Sequence, residues 1–89
     1  MDYKYKPGDA VRVRFDLKYN MDYYMRSGPK ANTALIAVDN MVNLAGKIVH
    51  ISEYSSGGQY RVKEDSERWR WTDEMFEDST SGIIFQRLL

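Results

Sequence analysis

Hydrophobic and polar residues alternate along three short stretches of the chain, and this alternation predicts β-strands. The stretches cover residues 10–15, 47–54 and 59–63. Neighbouring side chains of a strand point to opposite faces, so the alternate apolar residues of these stretches are expected to share one core. The residues expected inside are Val11, Val13, Phe15, Val49, Ile51, Tyr60 and Val62.

Turn-forming residues separate these stretches. Residues 6–9 read Lys-Pro-Gly-Asp, which predicts a turn before the first strand. Residues 55–58 read Ser-Ser-Gly-Gly and predict a hairpin, because glycine tolerates the positive φ that such turns need. Asp39 is a predicted N-cap for a helical turn around residues 41–44, and Gly46 is placed to end that turn.

The two tryptophans of the chain stand close together, with one arginine between them. Their alternation predicts a strand with Trp69 and Trp71 in the core and Arg70 in water. Thr72 or Asp73 is then predicted to cap a short helical turn, because both side chains carry an oxygen that can accept a backbone N–H. The acidic residues that follow fit this prediction, since negative charge is favoured at a helix N-terminus. A proline-rich ligand would require one of these tryptophans to be half-exposed.

Two regions lack this regular pattern. Residues 16–33 show no clean period and contain Gly28-Pro29, so they are expected to form a loop, and a short strand is predicted at 34–38. We treat residues 16–37 together as the long loop of the domain. Residues 78–82 read as a polar linker, and residues 83–85 begin a predicted last strand within a C-terminal extension over 78–89. The pattern as a whole predicts a mainly β, strongly bent small barrel of about five strands with one or two helical turns.

Composition narrows the possible classes of protein. The 89 residues predict one domain over 1–89, and 43% hydrophobic with 29% charged residues indicates a folded chain. No cysteine occurs, which excludes a disulfide framework and suits a reducing cytoplasm. No stretch approaches the roughly 18 apolar residues of a membrane span, and the first residues lack a signal-like apolar region, so we expect a cytoplasmic protein without a membrane partner.

Four segments carry a family resemblance. The sequences PGDAVRVR, LAGKIVHI, YRVKED and WRWTDEMFE together resemble small SH3-like barrel proteins that are common in phages and prophages of Gram-positive bacteria. The WTDEMFE segment is the most specific part of the resemblance. The resemblance implies an SH3-like fold and a phage or prophage origin, with action in the cytoplasm of a bacterial host. Residues 19–37 and 78–89 depart from the pattern, and specificity in small barrels usually lies on loops.

The sequence gives little support to catalysis. His50 is the only histidine, and alternation places it on the face opposite the predicted core. One histidine without cysteine makes a transition-metal site improbable, and Gly57-Gly58 lacks the lysine and helix of a phosphate-binding loop. We therefore expect a non-enzymatic protein with no catalytic residues, no metal and no cofactor.

Binding to another protein is the leading prediction, because tyrosine, methionine and arginine are typical of interface hot spots. The candidate partner-binding residues are Tyr19, Met21, Tyr23, Tyr24, Met25 and Arg26. Several of these side chains could instead fold back over one end of the barrel. Together with the resemblance, this composition suggests stoichiometric binding to a host protein, for example to inhibit a bacterial defence system.

Two alternatives remain open. An oligomeric barrel could enclose a small anionic ligand such as a nucleotide, and the candidate contacts are Arg12, Arg14, Arg26, Lys30 and Arg70. A nucleic-acid interface could use Arg12, Arg14, Lys18 and Arg26 with stacking tyrosines. The net charge of zero ranks nucleic acid last, because binders that rely on phosphate neutralisation carry a basic excess.

Overall fold

Two antiparallel sheets share one apolar core in the computed structural model, which describes residues 2–77. The strands are β1 (Ala10–Val13), β2 (Asp22–Tyr24), β3 (Ala34–Ile36), β4 (Ile48–Tyr54), β5 (Tyr60–Val62) and β6 (Phe76–Glu77). The larger sheet has the order β5-β4-β1-β6, and β2 pairs with β3 in a second sheet. The prediction of a small, mainly β protein is confirmed at this level. The predicted linker and last strand after residue 77 lie outside the described residues.

Three short helical elements connect the strands. They are the helix α1 (Asp39–Val42) and two single 3₁₀ turns, Lys63–Asp65 and Asp73–Met75. The predicted helical turn starts earlier than expected, because Val38 occupies the N-cap position and Asp39 is the first helical residue. Thr72, one of the two predicted capping residues, occupies the N-cap position of the second 3₁₀ turn, but its hydroxyl forms no hydrogen bond within residues 2–77.

Strands β1, β4 and β5 follow the predicted alternation. Val11 lies opposite Val49 in the register of β1 and β4, and Val13 lies opposite Phe76 of β6. The predicted inward residues of these strands are buried, and they are Val11, Val13, Val49, Ile51, Tyr60 and Val62. The Ser55–Gly58 turn also forms as predicted, with the Ser55 N–H donating to the Gln59 carbonyl at 2.7 Å.

The prediction that Phe15 lies in the core is wrong. Strand β1 ends at Val13, and the Arg14 N–H donates to the carbonyl of Met75 at 3.0 Å. The Leu17 N–H then donates to the Arg14 carbonyl at 3.3 Å, so the chain turns directly after the strand. Because of this turn Phe15 is 77% exposed, and Leu17 takes the inward position instead.

The Trp-Arg-Trp segment does not form the predicted strand. Only Trp71 pairs, through two hydrogen bonds of 2.8 and 2.9 Å with the backbone of Tyr60. Asp65 bends the preceding chain, because its carboxylate accepts hydrogen bonds from the Trp69 N–H at 3.2 Å and from Trp71 Nε1 at 3.0 Å. Trp71 is fully buried as predicted, whereas Trp69 is only half-buried.

Residues 16–37 contain a two-stranded sheet rather than a loop throughout. Tyr23 of β2 lies opposite Leu35 of β3, and Tyr23 and Met25 are buried. The alternation is hidden in the sequence because the two adjacent tyrosines, Tyr23 and Tyr24, point to opposite faces. Residue type alone therefore gives no period in this region.

A buried carboxylate joins the separate parts of the fold. Asp73 accepts hydrogen bonds from the Tyr60 hydroxyl at 2.6 Å, the Ser27 hydroxyl at 2.8 Å and the Arg26 N–H at 2.6 Å. Burial raises the pKa of Tyr60, and the hydrogen bond to Asp73 raises it further. Tyr60 therefore remains a hydrogen-bond donor, and the carboxylate has three partners in the interior.

The same network holds the N-terminal segment. The Lys4 N–H donates to the Ser27 hydroxyl at 2.9 Å, and the Tyr5 N–H donates to the Tyr60 hydroxyl at 3.3 Å. Tyr3 stacks on Tyr54 with ring centroids 3.7 Å apart. Residues 3–5 are thus fixed to β4, to β5 and to the chain after β2.

Replacing Asp73 with asparagine should lower the free energy of unfolding by about 2–3 kcal/mol, because an amide cannot accept all three hydrogen bonds of the carboxylate. Urea unfolding followed by tryptophan fluorescence measures this loss. Asp22→Asn is the matched control, because the Asp22 side chain is exposed on β2. Equal stability of the two variants would contradict the structural role of Asp73.

Gly28→Ala should destabilise the fold more than Gly8→Ala. Both glycines have a positive φ, 76° and 96°, which costs about 1–2 kcal/mol for alanine. A Cβ atom at Gly28 would lie 2.6 Å from the ring of Tyr3, whereas a Cβ atom at Gly8 would meet no atom within 4 Å. The difference between the two losses in thermal unfolding therefore reports the Tyr3 contact. Equal losses would show that the ring moves away without cost.

Candidate functional site

Three shallow grooves meet at the half-buried side chain of Trp69. Their volumes are about 270, 290 and 180 Å³. We call this region the Trp69 surface. The residues that line it are Tyr19, Leu35, Ile36, Val38, Asp39, Asn40, Met41, Leu44, Glu64, Asp65, Ser66, Arg68, Trp69 and Arg70. It draws together residues from β3, from α1 and from the chain between β5 and Trp71.

The turn at residues 65–68 presents the Trp69 ring at the surface. Asp65 accepts the Arg68 N–H at 3.1 Å in addition to its bonds from Trp69 and Trp71. The guanidinium of Arg68 lies 5.2 Å from the centroid of the Trp69 ring, within the range of a cation–π contact. The ring is therefore held in place by the backbone below it and by Arg68 beside it.

Apolar side chains from residues 19–38 form the opposite walls. Tyr19 is 62% exposed and lines one groove with Trp69. Ile36 is 50% exposed and lines another, together with the half-buried Leu35. These residues combine an exposed aromatic side chain with exposed aliphatic ones, which is the composition of a protein-binding surface.

Glu74 fixes the position of the β2–β3 sheet. Its carboxylate accepts the Tyr24 N–H at 2.9 Å and the Arg26 Nε–H at 2.8 Å. The Arg26 guanidinium also lies 5.1 Å from the centroid of the Tyr24 ring. Burial acts to raise the pKa of Glu74, but the hydrogen bonds from Tyr24 and Arg26 outweigh it and hold the pKa below its ordinary value. Of the two adjacent carboxylates, Glu74 thus holds the end of β2, and Asp73 holds the chain directly after it.

The structure divides the predicted partner-binding residues into two groups. Tyr23 and Met25 are buried, and the Tyr23 hydroxyl accepts the Lys18 N–H at 2.9 Å. The side chains that remain exposed are Tyr19, Met21, Tyr24 and Arg26. Tyr19 is the one member of this group that lines a groove with Trp69.

The predicted anion contacts also divide. Arg12 donates to the Gly46 carbonyl at 2.9 Å and lies 3.8 Å from Glu77. Arg14 pairs with Asp16 at 2.6 Å, and the hydrogen bond to Asp16 raises the pKa of Arg14. These two arginines, and Arg26 with Glu74, thus already face carboxylates of this chain.

Lys30 and Arg70 form no ion pair within residues 2–77. The Lys30 side chain packs beside Gly58, and Nη1 of Arg70 lies beside Gly57. These two candidates therefore come together at the Ser55–Gly58 turn, away from the carboxylate-paired Arg12 and Arg14.

His50 is exposed, and Glu64 is its partner. The His50 N–H donates to Glu64 at 2.8 Å, and Nδ1 lies 2.6 Å from the other carboxylate oxygen. In the described part of the chain, no three histidine, aspartate or glutamate side chains converge as metal ligands would. None of the helices within residues 2–77 is long and apolar enough to cross a membrane.

Comparison with protein-family models, with curated protein sequences and with solved structures gives no significant match to this chain. The geometry of the Trp69 surface is therefore the basis for a functional assignment.

Sequence reasoning missed the central residue of this surface. Alternation with Trp71 placed Trp69 in the core, and Leu35, Ile36 and Val38 were expected only as a short strand. The one available signal was Asp65, four residues before Trp69, because aspartate often accepts hydrogen bonds from nearby backbone N–H groups and bends the chain. A bent segment does not keep the alternation of a strand.

The stability that Glu74 contributes should depend on pH. A carboxylate with a depressed pKa in the folded state contributes its full stabilisation above its ordinary pKa of 4.5, and this contribution is lost as pH falls through the folded pKa. The difference in unfolding free energy between the wild type and Glu74→Gln should therefore be largest near neutral pH and shrink below about pH 4. Urea titrations at a series of pH values measure this difference.

Glu67→Gln is the control for this series, because the exposed Glu67 carboxylate forms no ion pair within the described residues. Its difference from the wild type should stay small and flat with pH. A flat profile for Glu74→Gln as well would show that the bonds to Tyr24 and Arg26 do not depend on the charge.

Proposed function

We propose that this chain is a non-enzymatic binding protein with an SH3-like fold, and that it recognises a host protein through the Trp69 surface. The observation that carries the proposal is the half-buried Trp69 ring at the meeting point of three grooves, with exposed Tyr19 and Ile36 on their walls. Tryptophan, tyrosine and arginine dominate the binding energy of protein interfaces. Trp69, Tyr19 and the neighbouring Arg68 and Arg70 supply this set.

The shape of the grooves favours a protein partner over a small molecule. Small-ligand sites are enclosed pockets that cover most of the ligand surface. The grooves around Trp69 are shallow, and they lie side by side on one face. A partner that spans several of them would bury more area than a ligand in any one.

The WTDEMFE resemblance supports the SH3-like assignment and the phage or prophage origin within this proposal. Asp73 and Glu74 of that segment bind the chain around β2 from the interior and from the surface. Such residues stabilise a scaffold, and the residues that face a partner are then free to differ between proteins of one fold. Stoichiometric binding to a host protein, including inhibition of a defence system, suits a chain of this size.

Capture of host proteins with the immobilised wild-type protein and three variants tests the proposal. A partner recovered by the wild type should be lost with Trp69→Ala and strongly reduced with Tyr19→Ala, and retained with Phe15→Ala. Calorimetry with the purified partner should show one-to-one binding and a loss of affinity of at least about 30-fold for Trp69→Ala, equivalent to about 2 kcal/mol. Phe15 is the matched control because it is the most exposed large apolar side chain described, and it lines none of the three grooves.

Tyr19→Ala separates binding from folding. Tyr19 is exposed and its removal should leave the unfolding midpoint unchanged, whereas Trp69 also packs partly on the core. Recovery of the same partner by the wild type and by all three variants would contradict the proposed surface. Loss with Phe15→Ala alone would place the interface elsewhere.

A further inference from the structure

We propose that an extended apolar segment of the partner, carrying a carboxylate, adds as a strand to the open edge of β3. This inference rests on the proposed function and specifies how the Trp69 surface would be used. The partner segment would form backbone hydrogen bonds with β3 and place alternate side chains in the groove between β3 and Trp69. Recognition of this kind obtains affinity from the backbone and specificity from alternate side chains.

The register of the β2–β3 sheet leaves one edge of β3 without partners among residues 2–77. Hydrogen bonds join the facing pairs on either side of Tyr23 and Leu35: Met25 N–H donates to the Thr33 carbonyl at 2.8 Å, and Ala37 N–H to the Met21 carbonyl at 3.1 Å. Facing pairs in an antiparallel sheet alternate between bonded and non-bonded. Tyr23 and Leu35 are therefore a bonded pair.

It follows that the backbone groups of Ala34 and Ile36 point away from β2. Within residues 2–77, no backbone or side-chain group forms a hydrogen bond with these outward N–H and C=O groups of Ala34 and Ile36. The same alternation directs the Tyr24 N–H to the other edge of the sheet, where Glu74 accepts it at 2.9 Å. At one edge a carboxylate thus accepts the outward N–H of Tyr24, whereas no group of residues 2–77 bonds to the edge at β3.

Strand β3 lacks the sequence features that usually prevent an exposed edge from pairing with another strand. Exposed edge strands usually carry lysine, proline or a bulge that discourages pairing with another chain. Strand β3 reads Ala-Leu-Ile, and the register of its pairing is regular. An apolar, regular edge is suited to a further strand.

A groove runs beside this edge and would receive side chains of the added strand. Leu35, Ile36 and Val38 line it from β3 and its continuation, and Trp69 and Arg70 line it from the other side. Alternate residues of a strand point to one face, so every second side chain of the partner segment would meet the groove. These side chains would be apolar, because the walls are mostly aliphatic and aromatic.

Arg70 supplies the charge that the segment should match. It lines the same groove, and no carboxylate of residues 2–77 pairs with it. Its guanidinium lies beside Gly57, where Lys30 also packs close to the turn. A glutamate or aspartate in the segment would find a cation here that is not already neutralised, whereas Arg12, Arg14 and Arg26 already have carboxylate partners.

Selection from a random twelve-residue peptide library on the immobilised protein tests the inference. The selected peptides should alternate apolar residues and contain a carboxylate, and they should bind in solution by fluorescence anisotropy. N-methylation of single peptide bonds in the best binder is the decisive measurement. Methylation of alternate amides should weaken binding at least about tenfold, and methylation of the intervening amides should have little effect, because only alternate N–H groups face a neighbouring strand.

Substitutions in the protein test the proposed hydrogen bonds between the peptide backbone and β3. Ile36→Pro removes the outward N–H and keeps the bonded pair of Tyr23 and Leu35, and an edge strand tolerates proline on its open side. It should weaken peptide binding about tenfold, whereas the matched variant Ile36→Val keeps the N–H and should bind nearly as the wild type does. Arg70→Gln should weaken binding of the acidic peptide but not of its amide analogue.

Several outcomes would overturn the inference. Proline-rich selected peptides, or a binder insensitive to the position of N-methylation, would show a different mode of recognition at the same grooves. Self-association in sedimentation experiments that Ile36→Pro abolishes would show that a second copy occupies the edge. If Trp69→Ala removes binding and the N-methyl pattern is absent, the proposed function survives without strand addition. If neither the library nor the host yields a Trp69-dependent binder, both proposals fail.

Discussion

The buried carboxylate of Asp73 is the interaction on which the rest of the structure depends. A chain of 89 residues buries a limited core, so single polar contacts in the interior weigh heavily in its stability. Asp73 lies inside with three hydrogen bonds, and its partners come from β5 and from the chain after β2. Without these partners a buried carboxylate would be strongly unfavourable, so the network requires the two sheets to keep their relative position.

The candidate site depends on this interaction through the next residue. Asp73 holds the backbone at Arg26 from the inside, and Glu74 holds the backbone at Tyr24 from the surface. Two neighbouring carboxylates therefore fix β2, and β2 in turn carries β3 to the grooves beside Trp69. One edge of the small sheet is closed by Glu74, and the other faces the grooves. One short acidic turn, Asp73–Met75, therefore stabilises the core and also positions the sheet that lines the grooves.

Much of the scaffold could be predicted from sequence because its signals are local. Alternation identified β1, β4 and β5, and the Ser55–Gly58 turn was recognised from glycine chemistry. Phe15 shows the limit of such signals, since one more apolar residue in phase with Val11 and Val13 lies outside once the chain turns. Arg14 still bonds to Met75, 61 positions away, and the chain then turns through the bond from the Leu17 N–H to the Arg14 carbonyl. The alternation of apolar residues reveals neither contact.

The candidate site was predicted only in part for the same reason. Tyr19 was chosen by its residue type and does line a groove, whereas Tyr23 and Met25 have the same composition and lie in the core. Which tyrosine faces outward depends on the pairing of β2 with β3, a contact between residues about a dozen positions apart. Composition selects residues 19–26 as candidates but does not show which of their side chains face outward.

The sequence by itself determined a small, mainly β chain with a tryptophan-containing acidic segment as its most distinctive feature. Only the tertiary structure decided that the two tryptophans differ, because Trp71 is fully buried and Trp69 is partly buried. The physical reason is the Asp65 carboxylate, which accepts hydrogen bonds from the Trp69 N–H and the Trp71 indole N–H. These bonds bend the chain before Trp71 and prevent a regular strand there. The alternation of inward and outward side chains holds only in a regular strand. A side chain that accepts hydrogen bonds from nearby backbone N–H groups interrupts the strand and with it the alternation.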